Sequence, residues 1–477
     1  MKKTLLNTKQ LQLVLAIALP MVILLLPKNY LPLADITTVE QRVIALFVLA
    51  ALFWILEPIP IYATSVLIIV LELIMISDKS WNVLIGDSGQ AEFGILLSYK
   101  EIMGTFASPI ILLFLGGFFL AMASTKYRLD QNLARVLLKP FGTKPGMIML
   151  GLMTITAVFS MFMSNTATTA MMLSILAPVL VYFGKDDPGK IAFALCIPVA
   201  ANIGGLGTPI GTPPNALALK YLTGSDYIGF GHWMSFGVPF VIILLFISWY
   251  LLLKLFKPNT ESIQLKIKGK FLMTRKAIIV YITFATTILL WLFDFVHGMN
   301  SYTVAMIPVA VFLSFNIITK EDLKKMSWDV LWLVSGGIAL GLALDKSGLA
   351  KHVVNSIPFA SFSPYLIVVA AALLATTMAN FMSNTATANL LLPIITAVGV
   401  SVISLEPLGG SKMLILATTL AASLGMALPI STPPNALAHA TGILQTKDMT
   451  KIGLIVGAVG LALVFGLMYI LKLVNFL

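Results

Sequence analysis

The sequence predicts an all-α polytopic membrane protein of two inverted repeats, with about eleven transmembrane helices and two hairpins. Three observations predict it. The 477-residue chain is 58% hydrophobic and only 11% charged, against roughly 25% charged residues in soluble domains. Its apolar runs are continuous and reach the roughly 20 residues that span a bilayer as a helix, whereas β-barrel strands alternate. Two polar, helix-breaking phrases also occur twice. Phe162-Met163-Ser164-Asn165-Thr166-Ala167-Thr168 returns as Phe381-Met382-Ser383-Asn384-Thr385-Ala386-Thr387, and Thr212-Pro213-Pro214-Asn215-Ala216-Leu217-Ala218 returns as Thr432-Pro433-Pro434-Asn435-Ala436-Leu437-Ala438. Such pairs, one in each half of a hydrophobic chain, point to a transporter's binding site.

The elements follow in chain order. Met1-Lys2-Lys3 opens a mostly polar stretch to Gln10. The apolar run after it has no small-residue cleavage site and further spans follow, so it reads as a retained first helix rather than a signal peptide. Residues 1–41 thus form an N-terminal helix outside the repeats. Spans are expected near 11–27, 42–59, 60–77, 105–125, 191–221, 234–255, 277–294, 302–318, 329–344, 413–443 and 452–474. The first repeat is 42–256, with a hairpin at 145–182 and a broken helix at 191–221. A basic cytoplasmic linker, 257–276, leads to the second repeat, 277–477, with its hairpin at 364–402 and its broken helix at 413–443.

Charge sets the orientation. With the N-terminus inside, roughly 22 of the 31 Lys and Arg fall on the cytoplasmic side, the bias that fixes topology. Lys254, Lys257, Lys266, Lys268, Lys270, Arg275 and Lys276 share one inside loop, and Lys126, Arg128, Arg135, Lys139 and Lys144 another. Lys144 and Lys185 place both ends of the first hairpin inside. The second hairpin enters and leaves from outside, and the C-terminus is outside in the cytoplasmic membrane of a cell. The net charge of +11 is therefore that of basic loops, and nucleic acid is not an expected partner. Cys196 stands alone, which excludes an internal disulfide and a cysteine metal cluster and leaves a small buried hydrophobe.

The halves match beyond the phrases. Gly116-Gly117 aligns with Gly336-Gly337 and Lys126 with Lys346, at the offset that aligns the Thr-Pro-Pro-Asn phrases. Trp54 and Glu57 resemble Trp291 and Asp294. An odd number of crossings separates equivalent elements, so the repeats are inverted in the membrane. Packing alone would not demand identical polar heptapeptides.

Each hairpin arm is about 17 or 18 residues, roughly 25 Å as a helix. That length fits either a re-entrant hairpin or two spans joined by a polar turn. At the tip one helix ends and another begins, and the new N-terminus offers free N–H groups and partial positive charge to an anion. Two consecutive prolines cannot continue a helix but suit its start. The breaks at Pro213-Pro214 and Pro433-Pro434 therefore begin new helices, with Thr212 and Thr432 as N-caps. No Arg, Lys, Asp or Glu lies near the motifs, and His439 reads as a packed or interfacial histidine rather than a proton carrier. No Walker motif or nucleophile–base set appears, which weighs against ATP drive and against an enzyme. A channel would need an open pore, which closed helix tips do not supply.

Duplicated Ser-Asn-Thr tips with downstream Thr-Pro-Pro-Asn breaks resemble the divalent anion/sodium symporter family, of the INDY type, from about Ile44 to the C-terminus. The resemblance implies a homodimer whose protomers have eleven transmembrane helices, two re-entrant hairpins and an elevator-type transport domain. It implies a dicarboxylate clamped by Ser164, Asn165, Thr166, Ser383, Asn384 and Thr385, with Thr212 and Thr432 close by. It also implies sodium ligands at Ser160, Ser164, Asn165 and Gly205, and at Ser383 and Asn384. The position four before the second Ser-Asn-Thr is Ala379, which has no side-chain oxygen, and Asn380 stands where many relatives have an acid. Sodium at one site, with its partner impaired, favours exchange of one dicarboxylate for another over sodium-coupled uptake.

Overall fold

The computed structural model describes residues 8–86, 89–184, 186–263 and 270–477; Lys2, Lys185, Lys266 and Lys268, used above to orient the chain, lie outside them. The described residues are mostly helical, without a named strand among them. The first half holds α1 (Thr8–Leu25), α2 (Thr38–Leu56), α3 (Ile61–Met75), α4 (Pro109–Lys126), α5 (Leu129–Leu138), α6 (Pro145–Phe162), α7 (Asn165–Leu180), α8 (Gly189–Gly205), α9 (Pro213–Tyr221) and α10 (Phe230–Leu255). The second half holds α11 (Arg275–Leu292), α12 (Ser301–Ser314), α13 (Trp328–Lys346), α14 (Leu349–Ser356), α15 (Pro364–Phe381), α16 (Asn384–Ser401), α17 (Gly410–Ala422), α18 (Pro433–Ala440) and α19 (Thr446–Leu473). Among the described residues, nine helices are long and apolar enough to cross a membrane, and six more apolar helices are 10–17 residues long.

Local chemistry sets the boundaries. Five helices, α4, α6, α9, α15 and α18, carry proline in the first turn, where its fixed φ suits the helix and its missing N–H costs nothing. A capping box between Thr37 and Glu40 starts α2, and Ser108 caps α4 by accepting from the Ile111 N–H. The stretch between α10 and α11 starts anchored. Asp187, at the base of the first hairpin, accepts from the Asn259 and Thr260 N–H groups and the Thr260 hydroxyl, at 3.0, 3.2 and 2.8 Å.

The helices sort into two bodies. The tip-bearing pairs α6–α7 and α15–α16 pack against the broken helices α8–α9 and α17–α18, with α10 and α19 alongside. The helices α1 to α4 and α11 to α13 form a wall. Helix α13 is the seam, packing on α3 within the wall and on α16 of the other body.

The two halves exchange equivalent contacts. Gly116 of α4 lies so close to Ala305 of α12 that a Cβ there would collide with its backbone, and Gly336 of α13 abuts Ser65 of α3 in the same way. Trp54 Nε1 donates to the Ile61 carbonyl at 3.2 Å, and Trp291 Nε1 to the Ser301 carbonyl at 3.0 Å. Lys126 of the first half reaches Asp322 of the second at 2.5 Å, while Lys346 of the second reaches Glu101 of the first at 3.4 Å.

The Lys126–Asp322 pair gives a pH prediction. Burial alone would raise the Asp322 carboxyl, but hydrogen bonds from Lys126 and from the Thr319 N–H and hydroxyl overcome it and bring it down from 3.8 to about 2. A carboxyl depressed in the folded state contributes stability that is present above its ordinary value and lost as pH falls through the folded one. Thermal melts of wild type and Asp322→Asn in detergent should differ at pH 6, and the difference should disappear between the two values.

Candidate functional site

Each tip is a helix end facing a helix start. Ser164 Oγ accepts from the Ala167 N–H and Ser383 Oγ from the Ala386 N–H, both at 3.2 Å, so the first residue of each Ser-Asn-Thr caps the second arm. As acceptors in these caps, both hydroxyls keep a proton to donate. The tips differ in setting: Thr166 is exposed whereas Thr385 is 8% exposed.

Behind the tips, the broken helices are held open by one residue each. Asn215 Nδ2 donates to the carbonyls of Gly205, Leu206 and Thr208 at 3.0, 3.4 and 2.9 Å. Asn435 Nδ2 donates to those of Met426 and Leu428 at 2.7 and 3.0 Å. These carbonyls lost their helical partners at the break, and the asparagine of each Thr-Pro-Pro-Asn phrase satisfies them. The unwound strands also grip the hairpins. Thr208 Oγ1 donates to the Met161 carbonyl, and Ser431 Oγ donates to the equivalent Asn380 carbonyl at 2.8 Å.

One expectation needs correction. Thr432 caps α18, accepting from the Asn435 N–H at 3.3 Å. Thr212 occupies the same extended backbone position before α9 but makes no side-chain cap hydrogen bond. In its place Thr208 Oγ1 accepts from the Gly211 N–H at 3.1 Å, one turn earlier in the unwound segment.

The structure brings all eight substrate candidates around one cavity of about 170 Å³: Ser164, Asn165, Thr166, Thr212, Ser383, Asn384, Thr385 and Thr432. Of the helix-break prolines, Pro213, Pro433 and Pro434 line it, whereas Pro214 is buried behind. The volume holds on the order of ten water-sized groups, which suits a small organic ion and not a lipid or peptide. No Lys or Arg is among the described lining residues, and Asp329 and Tyr62 of the wall stand at its edge. Positive potential in the cavity therefore comes from the starts of α7, α9, α16 and α18, each worth up to roughly half a charge.

Sequence reasoning missed Asn202. It is 3% exposed, lines the cavity, and donates to Thr432 Oγ1 at 3.2 Å and Asn435 Oδ1 at 3.1 Å, tying the break of one half to that of the other. The available signal was a lone amide inside an apolar run, three residues before the Gly205 carbonyl. The His439 reading fits a half-exposed ring 3.5 Å from Thr446 Oγ1.

The cation candidates lie behind the first tip. Ser160 Oγ sits 2.5 Å from Asn165 Oδ1 and 2.7 Å from the Ala201 carbonyl. A hydroxyl has one proton, so three oxygens meet with one donor among them, a set that fits a hard cation. Gly205 backs directly onto the Asn165 amide. In the second half Ala379 is fully buried, with Gly425 pressed against it. Asn384 lies among main-chain carbonyls: its amide nitrogen reaches those of Ala422 and Gly425 at 3.3 and 3.1 Å in one orientation, and that of Ser423 at 3.4 Å in the other. The first orientation satisfies two carbonyls and is the better of the two.

A cavity with two polar hairpin tips and two broken helices on one side and apolar wall residues on the other, inside an apolar helical chain, defines a membrane transporter rather than an enzyme. The description sodium:sulfate symporter transmembrane region matches residues 7–475, and the chain belongs to that family, the divalent anion/sodium symporters. It is 32% identical over 470 residues to the sodium-dependent dicarboxylate transporter SdcS of Staphylococcus saprophyticus, covering 90% of this chain and 85% of that protein. It is 31% identical over 466 residues to SdcS of Staphylococcus aureus (strain USA300), with the same coverage. Among solved structures, the YdaH transporter of Alcanivorax borkumensis shares the fold with a TM-score of 0.51 and 14% identity, over 78% of this chain and 87% of that one.

Proposed function

We propose that the protein is a secondary transporter of C4 and C5 dicarboxylates, such as succinate, malate, fumarate or 2-oxoglutarate, across the cytoplasmic membrane. The observation that carries this is the small cavity closed by hydroxyl-capped tips from opposite repeats, with four helix starts and no basic side chain among its described lining residues. Such a site suits an anion with a negative group at each end. The names of the SdcS relatives point to the same substrates.

Transport proceeds as an elevator, the tip-bearing body sliding along the wall. The support is the packing: tips and broken helices hold each other, and the cavity lies between them and the wall, where Tyr62, Phe114, Phe118 and Asp329 line it. The homodimer, the repeat boundaries 1–41, 42–256, 257–276 and 277–477, a cytoplasmic N-terminus and an outside C-terminus belong to the same proposal. One-sided thiol labelling at Lys270 and Leu477 tests the orientation.

The proposed mode is exchange. A dianion driven by sodium against an inside-negative potential needs at least two or three cations, since each net charge moved costs about 2.3 kcal/mol per 100 mV. Ala379 removes an oxygen from one cation site, whereas exchange of equal charges needs no such drive. Sodium-coupled uptake is the second reading, favoured by the carbonyls gathered around Asn384 and by the relatives' names. Labelled succinate uptake into liposomes decides between them. Exchange predicts uptake that requires internal dicarboxylate and ignores sodium. Sodium-stimulated uptake into empty liposomes would establish the symporter, and no uptake of any dicarboxylate would remove the substrate class.

A further inference from the structure

A second polar cluster lies inside the protein, away from the tips, and nothing above uses it. Glu72 of α3 is fully buried, and neither carboxylate oxygen has a hydrogen-bond partner among the described residues. An intramembrane acid without a donor is expensive and calls for a role and a partner. The charge that reaches it is Lys220, in the last turn of α9. Lys220 Nζ donates to the Ile338 carbonyl of α13 at 2.7 Å, and its charge is also felt by Asp345. Glu72 and Asp345 thus stand on the wall and Lys220 on the tip-bearing body.

The seam is shaped to take this lysine. A Cβ at Gly341 of α13 would collide with the Tyr221 hydroxyl and meet Lys220 Nζ at 3.0 Å. One turn back, Gly337 is filled by the side chain of Asn389, whose Nδ2 donates to the Leu333 carbonyl at 3.1 Å. Polar side chains of one body are therefore seated in glycine notches of the other. Smooth apolar helices could slide past each other, but these side chains must unseat first.

The cluster has no counterpart in the inverted half. The offset of 220 that relates Thr212 to Thr432 takes Lys220 to Ala440, and takes Thr125 and Ala121 to Asp345 and Gly341. The offset of 240 that relates Ser65 to Ala305 takes Glu72 to Phe312. An architecture whose two end states are related by pseudo-symmetry carries these charges at one end only.

We propose that Lys220, seated in the Gly341 notch within electrostatic reach of Glu72 and Asp345, is a positioning residue that latches the tip-bearing body in this conformation, and that its release limits the rate of transport. This rests on the sliding of one body against the other. Glu72 lies ten residues beyond Tyr62 along α3, roughly 15 Å farther through the membrane than the tip cavity. On the Lys220 side of the cluster, a cavity of about 810 Å³ is lined by Lys220, Asp226, Asp345 and Lys351. Sliding carries Lys220 away from Glu72 along that cavity and leaves Glu72 facing the advancing tips. The latch biases the two end states and leaves the substrate contacts untouched.

The test uses the full chain in liposomes. Glu72→Gln combined with Lys220→Met removes the pair without stranding a charge, and Gly341→Ala fills the notch while keeping both charges. Each should raise the maximal exchange rate several-fold with substrate affinity unchanged, and Glu72→Lys with Lys220→Glu should return the rate toward wild type. A wild-type or lower rate in both of the first two variants, or a rate that changes only together with affinity, overturns the latch. A cysteine at position 72, in a Cys196→Ala background, separates this from failure of the sliding reading. Labelling of that cysteine only during turnover, with rates unchanged in the variants, sinks the latch alone. Transport with no labelling sinks the sliding as well.

Discussion

Asn165→Ala and Asn384→Ala are each expected to weaken dicarboxylate binding by about tenfold to a hundredfold in a protein that stays folded. Both asparagines are the first residues of their helices and both line the cavity. The Asn165 side-chain N–H groups add to the main-chain donors of its helix start, and Asn384 fixes the second helix start by donating to carbonyls of the break. A hydrogen bond to a charged group is worth roughly 1.5–3 kcal/mol, which converts to that range of affinity. Calorimetric titration in detergent is the measurement. Ser164→Ala and Ser383→Ala provide the contrast, because they also remove a helix cap worth roughly 0.5–2 kcal/mol. They should lower the melting temperature along with affinity, whereas the asparagine variants should lower mainly affinity. Unchanged binding in both asparagine variants would falsify the tips as the substrate site.

Asn215→Leu and Asn435→Leu are expected to act on stability first and more severely. Each removes the donor for at least two buried carbonyls at a break. An unsatisfied buried polar group costs roughly 1–3 kcal/mol, so each variant should lose about 2–6 kcal/mol. Melting curves in detergent should show a large drop, and tip geometry should fail with it, because the unwound strands hold the hairpins at Met161 and Asn380. Asn→Asp should not rescue, since a carboxylate oxygen would face carbonyl oxygens. A normal melting temperature in Asn215→Leu would mean that water satisfies the break.

The sequence made the site legible because the site is written twice. Identical phrases 219 or 220 residues apart cannot be hidden by drift in apolar composition, and the structure gathers both copies at one cavity. The Trp54 and Trp291 match, read from single letters, proved to be one device used twice, an indole that staples successive wall helices. What lacked a duplicate stayed out of sight. Asn202 corresponds to Ala422 in the other half, and Lys220 to Ala440, so repeat comparison passed over both. The cap at Thr212 was misread for the opposite reason. The phrase is duplicated but its surroundings are not, since Thr208 on one side is replaced by Leu428 on the other. Side-chain hydrogen bonds depend on those surroundings, and helix breaks do not.

The exchanged glycine contacts bear on how the chain is made. Ser65 meets the α13 backbone at Leu333, 268 residues later. A ribosome adds about 5–20 residues per second, so α3 waits on the order of tens of seconds for the helix it packs against. Throughout that interval its buried Glu72 and Ser65 face lipid, the insertion machinery or a chaperone. The complementary wait belongs to Gly116, whose partner Ala305 also comes from the second half. Neither half of the newly inserted chain can complete its wall alone, and biogenesis, more than equilibrium stability, is where the interlocked repeats place their greatest demand.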